Sequence, residues 1–406
     1  MHLGNKNTKL ILVAILYFAV FISCGQELVF KEYNSLAVGA QQFHKYIPKL
    51  KNKKVAIVTN QTGVINGVSI VDTLLKFKVD IKKIFGPEHG FRGDTEAGEK
   101  VNSNIDKKTG LPVISLYGAN KKPSTKDLAG IDVVIYDIQD LGVRFYTYIS
   151  TMCYVMEACA ENNKEMIVLD RPNPNGFYVD GPVLKPEYKG FLGLHPVPIV
   201  YGMTCGEYAQ MVNGEGWLKK KVKKKDVVIK CNLTVIPCFN YDRNATYQLP
   251  VNPSPNIPNH TAVLLYPSLG LFEGTIVSLG RGTQWPFQVI GYPEYKDSSF
   301  SFVPHASALS AAPKYLDKKC NGLDLRKTDI TKHSRKLDLS LLFKMHSNWN
   351  KEDFFDRNFN FHSGNTELQE QVKSKLSEFE VRSSWEKDLL IFKAIRKKYL
   401  IYSDFE

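Results

Sequence analysis

The sequence predicts an α/β protein: a Rossmann-like domain built on a parallel sheet, followed by a smaller α+β C-terminal domain. Three observations carry this. Continuous apolar, β-rich runs alternate with helical patterns from about residue 40 to 240. Ionisable residues gather directly after those runs. Then "PVNPSPNIPN", from residue 250, places four prolines where neither a helix nor a central strand can continue. The expected organisation is therefore a leader at 1–23, a first domain at 24–250 and a second at 251–406.

The elements follow in order. "KVAIVTN" (54–60) reads as a buried strand, "IVDTLLKFK" (70–78) as a helix, and "IKKIFG" (81–86) and "PVISLYG" (112–118) as further strands. "IDVVIYDI" (131–138) is the strongest strand pattern of all. "YISTMCYVMEACAENN" (148–163) is helical and "EMIVLDR" (165–171) is the next strand. In "TCGEYAQMVNGEGWL" (204–218), Thr204 is the expected N-cap, with Glu207 closing a capping box. "VVIKCNLTVIP" (227–237) reads as the closing strand. Strands that are apolar throughout, with helices between them, call for a parallel sheet covered on both faces. Beyond residue 250 the pattern is mixed and lysine-rich, with helical stretches near 366–380 and 385–399.

Charge and composition narrow the function. The net charge is +12, but the lysines fall into short runs such as "KKKVKKK" (219–225) that carry almost no arginine or aromatic residues. Nucleic-acid binding would interleave those residue types, so no nucleic-acid partner is expected; the runs read as solvated surface facing anionic surroundings. At the N-terminus, Lys6 and Lys9 precede "LILVAILYFAVFIS", which stops at Cys24. The run is short for a membrane span and has the flanks of an export signal. The junction "FISC-G" resembles that of a bacterial lipoprotein, with Cys24 as the expected lipidated residue; the alternative is a plain secretory signal cleaved nearby. The expected location is the cell envelope, exported and lipid-anchored, on the periplasmic or outer-membrane side. The other six cysteines fit no zinc spacing and contain no CxxC, so buried free thiols and no metal site are expected.

Common catalytic motifs are missing. No GxGxxG follows a strand, and there is no GxxxxGK[ST], HExxH or GxSxG. That argues against a dinucleotide, a phosphate-cradling loop, a zinc peptidase or a serine hydrolase, and no cofactor is expected. What remains is carboxylates, arginines and amides at strand ends, where open parallel sheets bind ligands. "FGPEHGFRGD" (85–94) sets Glu88, His89 and Arg92 among glycines. A carboxyl in a partly desolvated pocket keeps its proton more readily than one in water, as a general acid must; the competing reading of Glu88 is a helix cap. Asp137 and Asp140 flank Gln139, with Arg144 near enough to pair with one of them. Asp170, Arg171 and Asn173 share a segment stiffened by two prolines, and their groups suit sugar hydroxyls and a carboxylate. Asn256, Glu273, Arg281 and Thr283 lie among Gly and Pro further on, and Trp285 and Phe287 offer an apolar face to a sugar ring. Two carboxylates across a cleft are the minimum for a glycoside hydrolase, and would equally suit a carbohydrate-binding protein.

Taken together, "FGPEHGFRGDTEAGEKV", "SLYG", "YDIQDLGVRFYTYISTM", "LDRPNPNG", "DGPVL", "PIVYGMTCGEYAQMVNGEGWL", "PSPNIPN" and "LFEGTIVSLGRGTQWPF" resemble the NamZ-like exo-β-N-acetylmuramidase family, once a domain of unknown function. The resemblance runs from about residue 40 to "YLIY" (399–402). It implies a cleft between the two domains and removal of non-reducing terminal β-linked N-acetylmuramic acid from peptidoglycan fragments. It implies Glu88 as catalytic acid. For the second carboxylate, Asp170 and Glu273 rank above Asp137 and Asp140. Arg92, Arg144, Arg171 and Arg281 are the candidates to grip the lactyl carboxylate, because a guanidinium meets a carboxylate bidentately. The chain departs from the family's usual "TIGE" and "SEGRGT" with "TCGE" and "SLGRGT", putting Leu279 in place of a glutamate. The alternatives are a non-catalytic muropeptide-binding lipoprotein and an exo-β-N-acetylglucosaminidase.

Overall fold

The computed structural model describes residues 35–88, 90–92, 104–244, 247–328 and 335–406. Residues 1–34, Cys24 among them, and His89 lie outside the described residues. The first half runs α1 (Phe43–Tyr46), β1 (Lys54–Thr59), a hairpin of β2 (Val64–Ile65) and β3 (Val68–Ser69), α2 (Ile70–Lys76), β4 (Asp80–Gly86), β5 (Asn104–Ile105), β6 (Pro112–Ser115), α3 (Thr125–Leu128), β7 (Val133–Asp137), α4 (Tyr148–Glu161), β8 (Glu165–Leu169), α5 (Cys205–Gly214), β9 (Lys219–Val222), β10 (Lys225–Val228) and β11 (Asn232–Ile236). The main sheet has the order β11-β8-β7-β1-β4-β6-β5. All of its pairings are parallel except the edge pair β5–β6. The chain builds outward from β1 to β6, then returns to the other side of β1 with β7, which is the strand order of a Rossmann sheet.

The burial pattern explains the unbroken apolar strands. Ala56, Val58, Val134, Tyr136, Met166 and Val168 pack on one face with Met152, Met156, Tyr208 and Val212 of α4 and α5. Val55, Ile57, Val133, Ile135, Ile167 and Leu169 pack on the other with Val71 and Leu74 of α2. Each strand alternates faces, and both faces are covered. The six cysteines among the described residues are buried and free. Thr204 caps α5 as expected, accepting from Glu207 N–H while the Glu207 side chain returns to the Thr204 backbone.

The expected strand at 227–237 is two strands. β10 folds back on β9 as a separate hairpin, turning at Lys223 and Lys224, both at positive φ. The chain then rejoins the main sheet at β11, redirected by the Asn213 side chain, which accepts from Cys231 N–H at 2.9 Å and donates to its carbonyl at 3.0 Å.

The second half contains α6 (His260–Leu269), a 3-10 turn at Gly270–Gly274, the antiparallel strands β12 (Val289–Tyr292), β13 (Ser301–Phe302) and β14 (Cys320–Asp324), then α7 (Ser340–Ser347), α8 (Phe359–Ser363), α9 (Glu367–Lys373) and α10 (Glu378–Arg396). The break between α9 and α10 falls earlier than the sequence suggests. Lys375 at φ 55° ends one helix, and Ser377 with Glu380 forms the capping box that starts the next. Residues Asn34–Glu406 form one compact unit. The larger core runs without interruption from α4 through Leu269, Phe287 and Phe354 to Trp385, so both halves share it. The terminal segment folds back onto the sheet half, with Ile401 N–H donating to Glu207 and Tyr402 O–H to Asp170.

Candidate active site

Glu88 owes its position to the end of β4. The strand stops at Gly86, and a turn closes through Gly90 N–H to the Pro87 carbonyl at 3.0 Å, with Gly90 at φ 74°. A side chain at position 90 would strain that turn. The Glu88 carboxyl lies half-buried between two hydroxyls: Thr147 Oγ1 donates to it at 3.3 Å, and Tyr117 hydrogen-bonds to it from beyond β6. Burial, then the charge of Glu88, push the Tyr117 hydroxyl well above its ordinary range, so it remains a donor. A hydroxyl donates to a carboxylate and accepts from a carboxylic acid, so this pair holds Glu88 in place in either protonation state.

Glu88, Tyr117 and Thr147 open onto a cleft of about 510 Å³ whose remaining wall comes from the second half: Ser254, Asn256, Tyr266, Glu273, Arg281, Lys314 and His362 among others. Glu273 stands on the 3-10 turn after α6. Burial pushes its carboxyl up, but the charge and hydrogen bond of Arg281, helped by His362 and Lys314, outweigh this and hold it below the usual glutamate range. Arg281 sits between Gly280 and Gly282, both at positive φ, and lies 5.2 Å from the Phe287 ring centre. Lys314 anchors its ammonium on the carbonyls of Phe272, Glu273 and Thr275, capping the same turn. His362 donates from Nδ1 to the Asn358 carbonyl at 3.0 Å; burial first, then Arg144, keep its pKa below the ordinary value. The cleft therefore pairs an ionised carboxylate, Glu273, with a second carboxyl, Glu88, whose hydroxyl partners tolerate a proton.

Of the residues singled out in the sequence, Glu88, Asn256, Glu273 and Arg281 meet in this cleft. Phe287 and Leu279 line it too, His89 lies outside the described residues, and the other described candidates do not line it. Asp170 is fully buried over the N-terminus of α5, accepting from Thr204 Oγ1 (2.7 Å), Gly206 N–H (2.8 Å) and Tyr402 O–H (2.6 Å). Asp137 pairs bidentately with Arg171 (2.6 and 2.9 Å), not with Arg144, and both are buried. Asp140 accepts from Tyr201 O–H and from Gly142 N–H. Arg144 is buried with three carbonyl partners, those of Pro182, Val197 and His362. Asn173 ties the loop together through Met203 and Asn175. Arg92 turns away to Asp106 (2.9 and 3.1 Å). The common reason is that helix N-termini and neighbouring loops claim these polar groups, whereas Glu88, Tyr117 and Thr147, after β4, β6 and β7, line the cleft.

Tyr117, Thr147, Lys314 and His362 were not singled out. Tyr117 and Thr147 lie in quoted strand-end motifs, so the same edge rule would have found them. Lys314 comes from an irregular segment and His362 from the short helix α8, neither with a local signal. Leu279, where the family pattern has a glutamate, lines the cleft as a buried apolar side chain.

Comparison with known proteins follows this architecture. The model for the N-terminal part of exo-beta-N-acetylmuramidase NamZ matches residues 55–261, and that for its C-terminal part matches 264–402. A Bacillus subtilis (strain 168) protein, peptidoglycan beta-N-acetylmuramidase NamZ, is 40% identical over 384 residues, spanning 88% of this chain and 89% of that protein. Two crystal structures of DUF1343 family proteins from Bacteroides fragilis NCTC 9343 superpose closely. One is 43% identical with a TM-score of 0.83, covering 91% of this chain and 100% of its own; the other is 31% identical with a TM-score of 0.79, covering 91% and 99%.

Proposed function

This chain belongs to the exo-β-N-acetylmuramidase NamZ family, and on that premise we propose how its cleft works. The activity is that of a glycoside hydrolase releasing non-reducing terminal β-linked N-acetylmuramic acid from peptidoglycan fragments. Glu88 protonates the leaving oxygen. Glu273, kept ionised by Arg281, is the opposing carboxylate that stabilises the positive charge developing at the anomeric carbon as its bond to the leaving oxygen breaks, and water supplies the hydroxyl that replaces that oxygen. The supporting observation is the asymmetry of the pair: one carboxyl is held by a guanidinium, the other by two hydroxyls. Asn256 and Arg281 contact the sugar, and Arg281, the one of the four candidate arginines that lines the cleft, meets the lactyl carboxylate with its remaining N–H groups.

The setting is part of the proposal. A basic start, an apolar run and Cys24 support export and lipid anchoring in the cell envelope, where peptidoglycan fragments arise.

The test uses a chromogenic β-N-acetylmuramide with the wild type and Glu88→Gln, and the corresponding glucosaminide in parallel. Release from the muramide by the wild type alone is expected. Full turnover by Glu88→Gln would remove Glu88 from the chemistry. Preference for the glucosaminide would reassign the substrate, and binding without release by either protein would indicate a carrier.

A further inference from the structure

Glu88 divides the cleft into two unlike parts. Toward the second half it faces charge, since it acts electrostatically on Arg281, which is bound to Glu273. Toward the first half it is bonded to Tyr117, whose ring centre lies 6.3 Å from that of Phe191. Phe191 sits at the tip of a closed two-residue turn: Gly190 and Gly193 exchange backbone hydrogen bonds at 2.9 and 3.0 Å. Phe191 and Leu192 at the tip both line the cleft. The Phe191 ring is half-buried, braced by the nearly parallel Tyr154 ring at 6.3 Å and 10°, and Lys121 Nζ lies 4.6 Å from its centre. A phenyl group held this firmly beside open space is costly to leave bare, and nothing in the hydrolytic step itself uses it.

In a glycosidase the acid stands beside the bond that breaks, with the departing sugar on one side and the retained sugar on the other. We propose that the Tyr117–Phe191 wall is the subsite for the leaving-group N-acetylhexosamine, and that the Glu273–Arg281 end holds the muramic acid. This rests on the hydrolase reading above and gives the cleft its direction. The chemistry fits: the C–H groups on the apolar face of a pyranose carry partial positive charge and meet the negative face of an aromatic ring. Lys121, whose Nζ lies over the Phe191 ring, supplies donors for hydroxyl or acetamido oxygens there.

The experiment compares two substrates that share the muramic acid: the β-1,4-linked disaccharide with N-acetylglucosamine, and β-N-acetylmuramyl fluoride, whose leaving group has no ring. Phe191→Ala is expected to lower kcat/KM on the disaccharide roughly tenfold more than on the fluoride. Phe191→Trp is expected to restore the ratio. Phe191→Leu, which keeps the turn filled without a π face, is expected to behave like the alanine variant even if that one folds poorly. An unchanged ratio in the alanine and leucine variants overturns the assignment. If the wild type hydrolyses neither substrate, the hydrolase reading fails on its own. The wall is then tested by titrating methyl β-N-acetylglucosaminide: binding weakened by Phe191→Leu supports it, and equal or absent binding overturns it.

Discussion

Arg281 Nη2 donates to Glu273 Oε1 at 2.6 Å on the cleft wall, with each side chain about a quarter exposed (28% and 27%). The guanidinium decides which protonation state this carboxyl brings to the reaction. Its depressed pKa keeps the ionised form present down through mildly acidic pH, and that form is lost as pH falls through the folded value. Arg281→Leu removes the main influence holding it down. The acid limb of kcat/KM against pH is expected to move upward, and activity at neutral pH to fall at least about tenfold. A pH–rate profile of the two proteins checks both.

The two hydroxyls beside Glu88 position it. Thr147→Val and Tyr117→Phe each remove one of them. Each is expected to lower kcat by roughly tenfold, because a misplaced acid loses near-attack geometry. KM should change little for Thr147→Val. Steady-state kinetics on the disaccharide separates the two parameters, and an unchanged kcat would show that neither hydroxyl positions Glu88.

Asp140 is a buried carboxyl with no cation paired to it among the described residues. Burial, opposed by Tyr201 and by Gly142 and Leu141 N–H groups, raises it from 3.8 to about 6. A folded pKa above the unfolded one means that its contribution to stability is full below about pH 4 and is lost as pH rises toward 6. Its Oδ1 has no hydrogen-bond partner among the described residues, while Oδ2 takes both Tyr201 and Gly142. Asparagine keeps the accepting oxygen and loses the charge. Asp140→Asn is therefore expected to flatten the decline of stability between pH 4 and 7, by up to about 3 kcal/mol at 1.36 kcal/mol per pKa unit. Urea unfolding at both pH values measures it.

Glu207 and Arg243 form a fully buried ion pair at 2.7 Å, and Arg243 also donates to the carbonyls of Gly202, Tyr402 and Ser403. Removing one partner strands a charge in the interior. Arg243→Met is expected to destabilise the fold by roughly 3–5 kcal/mol. Glu207→Gln should cost less, since the amide still accepts from Ile401 N–H. Thermal unfolding of the two variants ranks them.

Sheet order and helix placement were legible because they follow from pattern. The strands β1, β7 and β8 are apolar throughout, and only burial on both faces explains that. Glu88 and Glu273 were legible as carboxylates set among Gly and Pro. Asp170, Asp137 and Arg171 carried the same local signal and serve the fold instead. Position after a strand does not reveal whether a helix N-terminus or another loop already occupies the side chain; for Asp170 that depended on Tyr402, 232 residues away. Lys314 and His362 escaped notice for the converse reason, since tertiary folding alone brings their segments to the cleft.

The bond from Tyr402 to Asp170 also has a consequence for biogenesis. While a ribosome still holds the last residues in its exit tunnel, the emerging Rossmann half carries an internal acid lacking one of its three donors, and Arg243 lacks its carbonyl partners in the tail. That half gains its full set of partners only once the segment carrying Tyr402 has emerged and folded back onto it.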